Sequence, residues 1–290
     1  MPRKATGPKA TSYPYGPRVQ QNMLQKYRDR ETNHWKERIA CARRLFREFA
    51  LPNLKDKPPE EILIVDVGCS VGTFALEFAK DGYQTIGVDF DPAAIEIARN
   101  LAEEENSKAV FHCMDLADWK TNDLPPIRVA VCFDIFEHLH DDEIGALLIT
   151  LKRAVAPGGR MIFSTTPTQY SFLWTGIGLR SRITRFLVLA MRNRSPLVFE
   201  RWVKSLASLC DILYLWRLGK THDELIKRQK HCNLLTKDRV FDILNRNGWK
   251  VEYLESLILH ESRFLHLVKL REQPLAHSHI IGVAVPNPNS

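Results

Sequence analysis

An apolar run that leads into a glycine-containing turn constrains the fold of this chain most strongly. Residues 62–67 are apolar until Asp66 and predict a buried strand, and Gly68, Ser70 and Gly72 follow at alternate positions. A second predicted strand ends at the acidic Asp89. A glycine turn lets backbone approach a ligand, and a carboxylate at the next strand end accepts hydrogen bonds from ribose hydroxyls. The pattern therefore predicts a site for a nucleotide-containing cofactor.

Strand and helix patterns alternate along the rest of this region. The strands are predicted at 62–67, 85–89, 109–114, 128–133, 160–165, 251–254 and 280–285. Between them lie helical patterns, and Pro157-Gly158-Gly159 is expected to end one that spans 141–155. Such alternation predicts an α/β fold with a doubly wound, mostly parallel, seven-stranded sheet, in which ligands bind at the carboxyl ends of the strands.

Four segments are predicted around this pattern. Residues 1–20 read as a flexible basic tail, and 21–58 as an N-terminal helical segment that covers the cofactor cleft. Residues 59–167 and 221–290 form the core, and 168–220 form a basic helical insertion. The six cysteines lack C-x-x-C spacing and the N-terminus lacks an apolar leader, which predicts reduced thiols and a cytoplasmic protein.

The glycine turn resembles motif I of the class I S-adenosylmethionine (SAM)-dependent methyltransferases, acidic-x-G-x-G-x-G. Serine replaces the middle glycine, which fits if Ser70 keeps a negative φ. The resemblance implies a Rossmann-like methyltransferase fold with SAM as cofactor. It implies that Asp66 and the turn cradle the methionine part, that Asp89 holds the ribose, and that Asp115 meets the adenine amino group. The other cofactor-lining positions that it implies are Phe90, Leu116 and Phe133.

Three polar residues follow the fourth predicted strand. If this stretch is helical, Asp134, Glu137 and His138 lie at i, i+3 and i+4 and share one face. Two carboxylates and an imidazole beside the cofactor could bind a divalent cation. The alternative is that Glu137 bonds to backbone while His138 shapes the substrate pocket or acts as a general base.

The Glu137-His138 motif resembles that of the ubiquinone-biosynthesis O-methyltransferases. It is also similar to the motif of the small-RNA 2′-O-methyltransferases, in which an acidic-x-x-Glu-His sequence and a later histidine bind magnesium. The resemblance implies a Mg²⁺ site formed by Asp134, Glu137, His138 and His231. His231 precedes Thr236, a predicted helix N-cap, at the family's spacing, but His222 competes for the same role.

The insertion at 168–220 holds nine Lys/Arg and two Asp/Glu, so it accounts for the net charge of +7 of the whole chain. Its large apolar residues recur at helical spacing, for example Trp202, Leu209 and Trp216. Three interpretations stay open: a helical cap packed on the core, contact with an anionic membrane or a lipid-linked substrate, and RNA binding. The burial-like period disfavours RNA, and a membrane contact would make the protein peripheral.

These observations predict a methyltransferase that O-methylates a small or lipid-linked hydroxyl compound. Glu137 and His138 are the predicted catalytic residues. The alternatives are RNA ribose 2′-O-methylation with a divalent metal, and a SAM-fold scaffold without activity. Acidic residues at all the expected cofactor positions argue against the scaffold.

Overall fold

The computed structural model describes residues 17–32, 34–115, 125–166, 168, 231–257 and 279–288. It also describes single positions in the insertion, namely 201, 202, 205, 209, 212, 216, 217 and 219. The predicted tail before Pro17, the cofactor position Leu116 and the competing histidine His222 lie outside the described residues.

A single seven-stranded sheet, in the order β3-β2-β1-β4-β5-β7-β6, organises the described chain. The strands are β1 Leu63–Val67, β2 Gln84–Asp89, β3 Val110–Cys113, β4 Ile127–Phe133, β5 Val155–Thr165, β6 Trp249–Leu257 and β7 His279–Pro286. Strands β1 to β5 pair in parallel, and β7 is antiparallel to both β5 and β6. The predicted doubly wound, mostly parallel, Rossmann-like sheet is therefore confirmed.

Helices cover both faces of the sheet. They are α1 Pro17–Arg28, α2 Ala40–Leu45, α3 Thr73–Ala79, α4 Pro92–Glu104, α5 Asp141–Ala154 and α6 Lys237–Arg246. Thr236 caps α6 by accepting a hydrogen bond from the Arg239 N–H at 3.3 Å, as predicted. On the α5–α6 face, Trp249 is buried and donates from its indole N–H to the Leu148 carbonyl at 3.0 Å. The sheet is thus buried on both sides, which explains why its central strands are continuously apolar.

The N-terminal segment predicted to be helical over 21–58 is not continuous. Helix α1 begins at Pro17, inside the predicted tail, because proline is favoured in the first helical turn. The chain then turns at Asp29, whose carboxylate accepts from the Glu31 N–H at 3.1 Å. Helical structure resumes from His34 to Ala50, with π-helical turns on both sides of α2. The sequence predicted the helical character of the later part but not the turn at Asp29.

Two smaller predictions are also corrected. Helix α5 ends at Ala154 because Val155 already has extended backbone, so Pro157-Gly158-Gly159 lies within β5 rather than ending the helix. Cys41, Cys69 and Cys132 are buried free thiols as predicted, but Cys113 is exposed. Within the described residues, no helix has the length and apolar character that a bilayer crossing requires.

Candidate active site

The glycine turn is fixed against the neighbouring strand by backbone hydrogen bonds. The N–H groups of Gly68 and Cys69 both donate to the Val88 carbonyl, at 2.8 and 3.0 Å. Gly68 and Gly72 have φ values of 69° and 82°, which glycine adopts without a steric penalty. Gly72 immediately precedes α3, so the turn passes directly into a helix N-terminus. The glycine turn therefore lies at the carboxyl end of β1, where the sequence predicted it.

Ser70 corrects the expectation that it keeps a negative φ. Its φ is 49°, in the left-handed region, where a side chain costs roughly 1–2 kcal/mol. Its N–H donates to Oδ2 of Asp89 at 2.8 Å. That charge-assisted bond helps to hold the serine in this conformation. The turn therefore keeps the backbone shape of a three-glycine motif although one glycine is missing.

Asp89 lies at the carboxyl end of β2 and faces the glycine turn. Its side chain is nearly buried, and its Oδ1 accepts from the Asp91 N–H at 2.9 Å. Burial raises the pKa of this carboxyl above its ordinary value. Each oxygen keeps a further lone pair, so the carboxylate can still accept bonds from a ribose. Phe90 and Asp115 are partly exposed at the same edge of the sheet.

Asp66 lies near the end of β1 and bonds to the helix that follows the glycine turn. It is buried, and its Oδ2 accepts from the Ala75 N–H in α3 at 3.1 Å. Burial raises the pKa of this carboxyl to about 7. The structure thus places the Asp66 carboxylate against the first turn of α3, behind the glycine turn. The resemblance implied that Asp66 and the turn cradle the methionine part of the cofactor, and that role stays a prediction.

Replacing Asp66 by Asn should stabilise the protein at alkaline pH. The raised pKa of about 7, against an ordinary 3.8, means that the fold favours the protonated carboxyl. Its favourable contribution is complete below about pH 4 and is lost as pH rises through 7. Asn can still accept from Ala75 but carries no charge, so we expect a gain of roughly 4 kcal/mol at pH 8 and little at pH 4. Urea unfolding at both pH values measures this, and an equal difference at both would contradict it.

The residues after β4 are not helical in the way that the sequence suggested. Asp134 has a φ of 56°, and only Phe136–His138 form a single 3₁₀ turn. The Asp134 carboxylate forms an ion pair with Arg38 and accepts from the Ser164 hydroxyl at 3.4 Å. Phe133, the last residue of β4, packs its ring on Phe74 at a centroid distance of 4.8 Å.

Glu137, His138 and His231 come together beside this turn. One potential ligand atom from each lies within 4.8 Å of the other two, and the imidazole rings are 4.9 Å apart at their centroids. Asp134 is not a member of this group. The structure therefore assembles three of the four residues that the sequence proposed, and directs the fourth towards Arg38.

Burial dominates the electrostatics of this cluster. Glu137 is 1% exposed and accepts from the Thr165 hydroxyl at 2.9 Å. Its pKa is raised well above the ordinary value by burial, with a further contribution from Asp134. Burial also lowers the pKa of His231 to about 3, helped by His138 and Arg38, so that this imidazole is neutral. Its Nδ1 is buried and has no hydrogen-bond partner among the described residues.

The cluster and the glycine turn are neighbours. A Cβ added to Gly68 would lie 2.8 Å from Cδ1 of Ile135, two residues before Glu137. The carboxyl ends of β1, β2 and β4 therefore form one continuous site. At one end lies a turn suited to a nucleotide-containing cofactor, and at the other end lies a cluster suited to proton or metal chemistry.

Three residues of this region were not singled out from the sequence. Arg38 reaches Asp134 from the N-terminal segment, and Gln20 of α1 donates to Oδ2 of Asp91 at 2.6 Å. Both contacts are long-range, so no local pattern indicates them. Thr165 bonds to Glu137 from the end of β5. Its position at the site could have been inferred, because a strand was predicted at 160–165 and the carboxyl ends of parallel strands lie at the same edge of a sheet.

A family model described as a methyltransferase domain matches residues 33–254. Among curated proteins, a ubiquinone biosynthesis O-methyltransferase from Alkalilimnicola ehrlichii is 31% identical over 174 residues, which is 58% of this chain and 67% of the relative. One with the same name from Coxiella burnetii is 28% identical over 116 residues, 40% of this chain and 48% of the relative. The chain thus spans about half the length of the first such relatives.

Solved structures share the fold at low sequence identity. A magnesium protoporphyrin IX methyltransferase from Synechocystis PCC 6803, with bound S-adenosylhomocysteine (SAH), has a TM-score of 0.54 and 16% identity. That alignment covers 93% of this chain and 95% of the other. A Pyrococcus horikoshii protein aligns with a TM-score of 0.51 and 14% identity, over 94% and 100% of the two chains.

Proposed function

The chain belongs to the methyltransferase-domain family, and we propose that it is a SAM-dependent methyltransferase that transfers the methyl group to a hydroxyl of a small or lipid-linked compound. The observation that supports this acceptor chemistry is the buried group of Glu137, His138 and His231 next to the glycine turn. A hydroxyl must lose its proton to accept a methyl group, and this cluster offers the means of removing it.

The residues at the carboxyl ends of β1 and β2 fit the cofactor. The backbone of the glycine turn would lie against the methionine part of SAM, and the Asp89 carboxylate would accept hydrogen bonds from the ribose. SAM supplies a methyl group on a sulfonium, which is ready for in-line displacement. The chain's own task is to align the acceptor and exclude water.

The cluster also fits a divalent cation. The three ligand atoms lie within 4.8 Å of one another, and the buried Nδ1 of His231 lacks a partner. A metal ion about 2.0–2.3 Å from each atom requires such a spacing. Without Asp134, the donors are two imidazoles and one carboxylate. That set suits a borderline ion such as Zn²⁺ or Fe²⁺ better than Mg²⁺, which prefers oxygen ligands.

The cation would lower the pKa of an acceptor hydroxyl, so that the oxygen attacks as the anion. Glu137 is anchored by Thr165, and the backbone N–H of Asn233 donates to the Glu137 carbonyl at 3.0 Å. Those bonds fix the β4 turn against the segment that bears His231. The cluster is therefore held in one geometry before the acceptor arrives, which favours a near-attack arrangement.

A phenol of the kind methylated in quinone biosynthesis is the proposed acceptor. The support is the name of the curated relatives, ubiquinone biosynthesis O-methyltransferase, at 28% and 31% identity. Phenols have pKa values near 10, so a cation needs to lower the pKa only moderately to form the anion near neutral pH.

An acceptor assay tests this proposal. Protein treated with dipicolinate is incubated with methyl-labelled SAM and either a prenylated catechol in detergent or a short RNA, before and after addition of Mg²⁺, Mn²⁺, Fe²⁺ or Zn²⁺. We expect label in the catechol and a rate that depends on the added cation. Label in the RNA would favour ribose methylation instead. No transfer in any arm, together with no heat of SAH binding, would identify a scaffold.

A further inference from the structure

The loop that carries His231 belongs to no helix or strand. It comprises residues 231–236, and α6 begins only at Lys237. An imidazole on such a loop keeps a fixed position only if other groups hold the loop in place. Asn233, two residues after His231, is 1% exposed and makes contacts that can do this.

Asn233 bonds to the segment that runs from the 3₁₀ turn into α5. Its backbone N–H donates to the Glu137 carbonyl at 3.0 Å. Its side-chain amide donates to the Leu139 carbonyl at 2.9 Å and to Oδ1 of Asp141 at 2.9 Å. Both partners of the amide are acceptors, so its nitrogen must face them and its orientation is fixed. Three hydrogen bonds from one residue thus join the loop to the segment 137–141.

A charged group strengthens this contact. Asp141 is the first residue of α5, and its Oδ1 also accepts from Arg239 of α6 at 2.6 Å. Burial alone would raise the pKa of Asp141, but the hydrogen bonds from Arg239 and Asn233 outweigh burial and lower the pKa. The carboxylate is therefore ionised at neutral pH, and its bond with the Asn233 amide is charge-assisted and stronger than a neutral one.

The cost of burying Asn233 indicates that the amide has a positioning role. Its Oδ1 is buried and has no hydrogen-bond partner among the described residues. A buried polar atom without a partner is unfavourable, and an apolar side chain would avoid that cost. Packing alone therefore does not account for an amide here. The two bonds that the amide nitrogen makes to the segment 137–141 do account for it.

We propose that Asn233 is a positioning residue that fixes the His231 imidazole beside the 3₁₀ turn Phe136–His138. Glu137 and His138 belong to that turn, whereas His231 belongs to the loop before α6. The spacing of the three ligand atoms, within 4.8 Å of one another, therefore depends on how the loop is held against the turn. This role rests on the proposed function, because it concerns how the catalytic cluster is assembled.

Asn233→Ala, compared with Asn247→Ala, tests this role. Asn247 is the matched control, because its amide also donates to a carbonyl, that of Ile243 at 2.8 Å, but at the carboxyl end of α6. In Asn233→Ala we expect the backbone amides of 231–236 to exchange hydrogen about tenfold faster or more, as measured by mass spectrometry. Zn²⁺ affinity, measured by competition with a chelator, and single-turnover methyl transfer should each fall by about 10–100-fold. SAH affinity should stay the same, and Asn247→Ala should match the unaltered protein in every readout.

Asp141→Ala tests the same contact from its exposed side. The Asp141 side chain is 47% exposed, so its removal should leave the fold intact. Because the bond from Asn233 to Leu139 remains, we expect a smaller loss of Zn²⁺ affinity, about threefold to tenfold. Asp142→Ala removes the same charge from the first turn of α5 and is the control, with Zn²⁺ affinity and hydrogen exchange unchanged.

Unchanged hydrogen exchange and Zn²⁺ affinity in Asn233→Ala would overturn the positioning role. Equal losses in Asn233→Ala and Asn247→Ala would also overturn it, because they would reflect only a general loss of stability. If Asn233→Ala does not fold, equal values for Asp141→Ala and Asp142→Ala would have the same meaning. An unaltered protein that binds no Zn²⁺ and transfers no methyl group would contradict the proposed function, whereas hydrogen exchange would still decide whether Asn233 fixes the loop.

Discussion

Glu137→Gln should lower methyl transfer by about 10²–10⁴-fold, with SAH affinity changed less than about twofold. The variant should still fold, because the raised pKa of Glu137 means that the fold already accommodates a neutral side chain there. The Gln carbonyl can accept the Thr165 hydroxyl bond in place of the carboxylate. What the variant loses is a carboxyl group that can ionise to bind a cation or to accept a proton beside His138 and His231. Single-turnover rates with labelled SAM, with SAH calorimetry alongside, measure both quantities.

A pair of threonine variants makes this test sharper. Thr165→Val removes only the hydrogen bond that orients Glu137, and should cost about 10–100-fold in rate. Thr85→Val is the matched control. That threonine is equally buried, but it lies near the amino end of β2, at the opposite edge of the sheet. We expect normal turnover from it. Equal rates for Glu137→Gln and the unaltered protein would exclude Glu137 from the chemistry.

Gly72→Ala should destabilise the protein by about 2–5 kcal/mol, the sum of a backbone and a packing cost. Gly72 has a φ of 82°, and an added Cβ would lie 2.5 Å from the ring of Phe111. Phe111 is buried in β3 and cannot move aside without disturbing the core. Urea unfolding at constant pH measures the free-energy difference, and SAH binding should weaken in parallel because the turn is displaced.

Gly158→Ala separates the two costs. Gly158 has a similar φ of 78°, but nothing lies within 4 Å of an added Cβ. This variant should therefore lower the free energy of unfolding only by the backbone cost, about 1–2 kcal/mol. The excess for Gly72→Ala reports the collision with Phe111. Equal losses of unfolding free energy in the two variants would contradict the close contact between Gly72 and Phe111 of β3.

The sheet and the cofactor end of the site could be predicted from the sequence because their determinants are local. Parallel strands buried on both faces are continuously apolar, and Asp66, Asp89 and Asp115 mark strand ends in a fixed order. The glycine turn was predicted, but not the left-handed backbone of Ser70. That conformation depends on the hydrogen bond from the Ser70 N–H to Asp89, which belongs to the next strand.

The group formed by Glu137, His138 and His231 could be predicted only in part. Glu137 and His138 are adjacent in sequence, and the capping role of Thr236 placed His231 correctly relative to α6. Asp134 was assigned to the same set on the assumption of a helix. The left-handed backbone there, and the ion pair with Arg38, arise from the docking of a distant segment. The turn at Asp29 that positions this segment follows from no apolar pattern, so sequence periodicity could not reveal it.

A crystal structure of the complex with SAH tests the central claim most directly. We expect ribose hydroxyls within hydrogen-bond distance of the Asp89 carboxylate, the methionine part over the Gly68–Gly72 turn, and the sulfur directed towards Glu137, His138 and His231. Density for SAH at any other place, or a ribose that Asp89 does not touch, would contradict it.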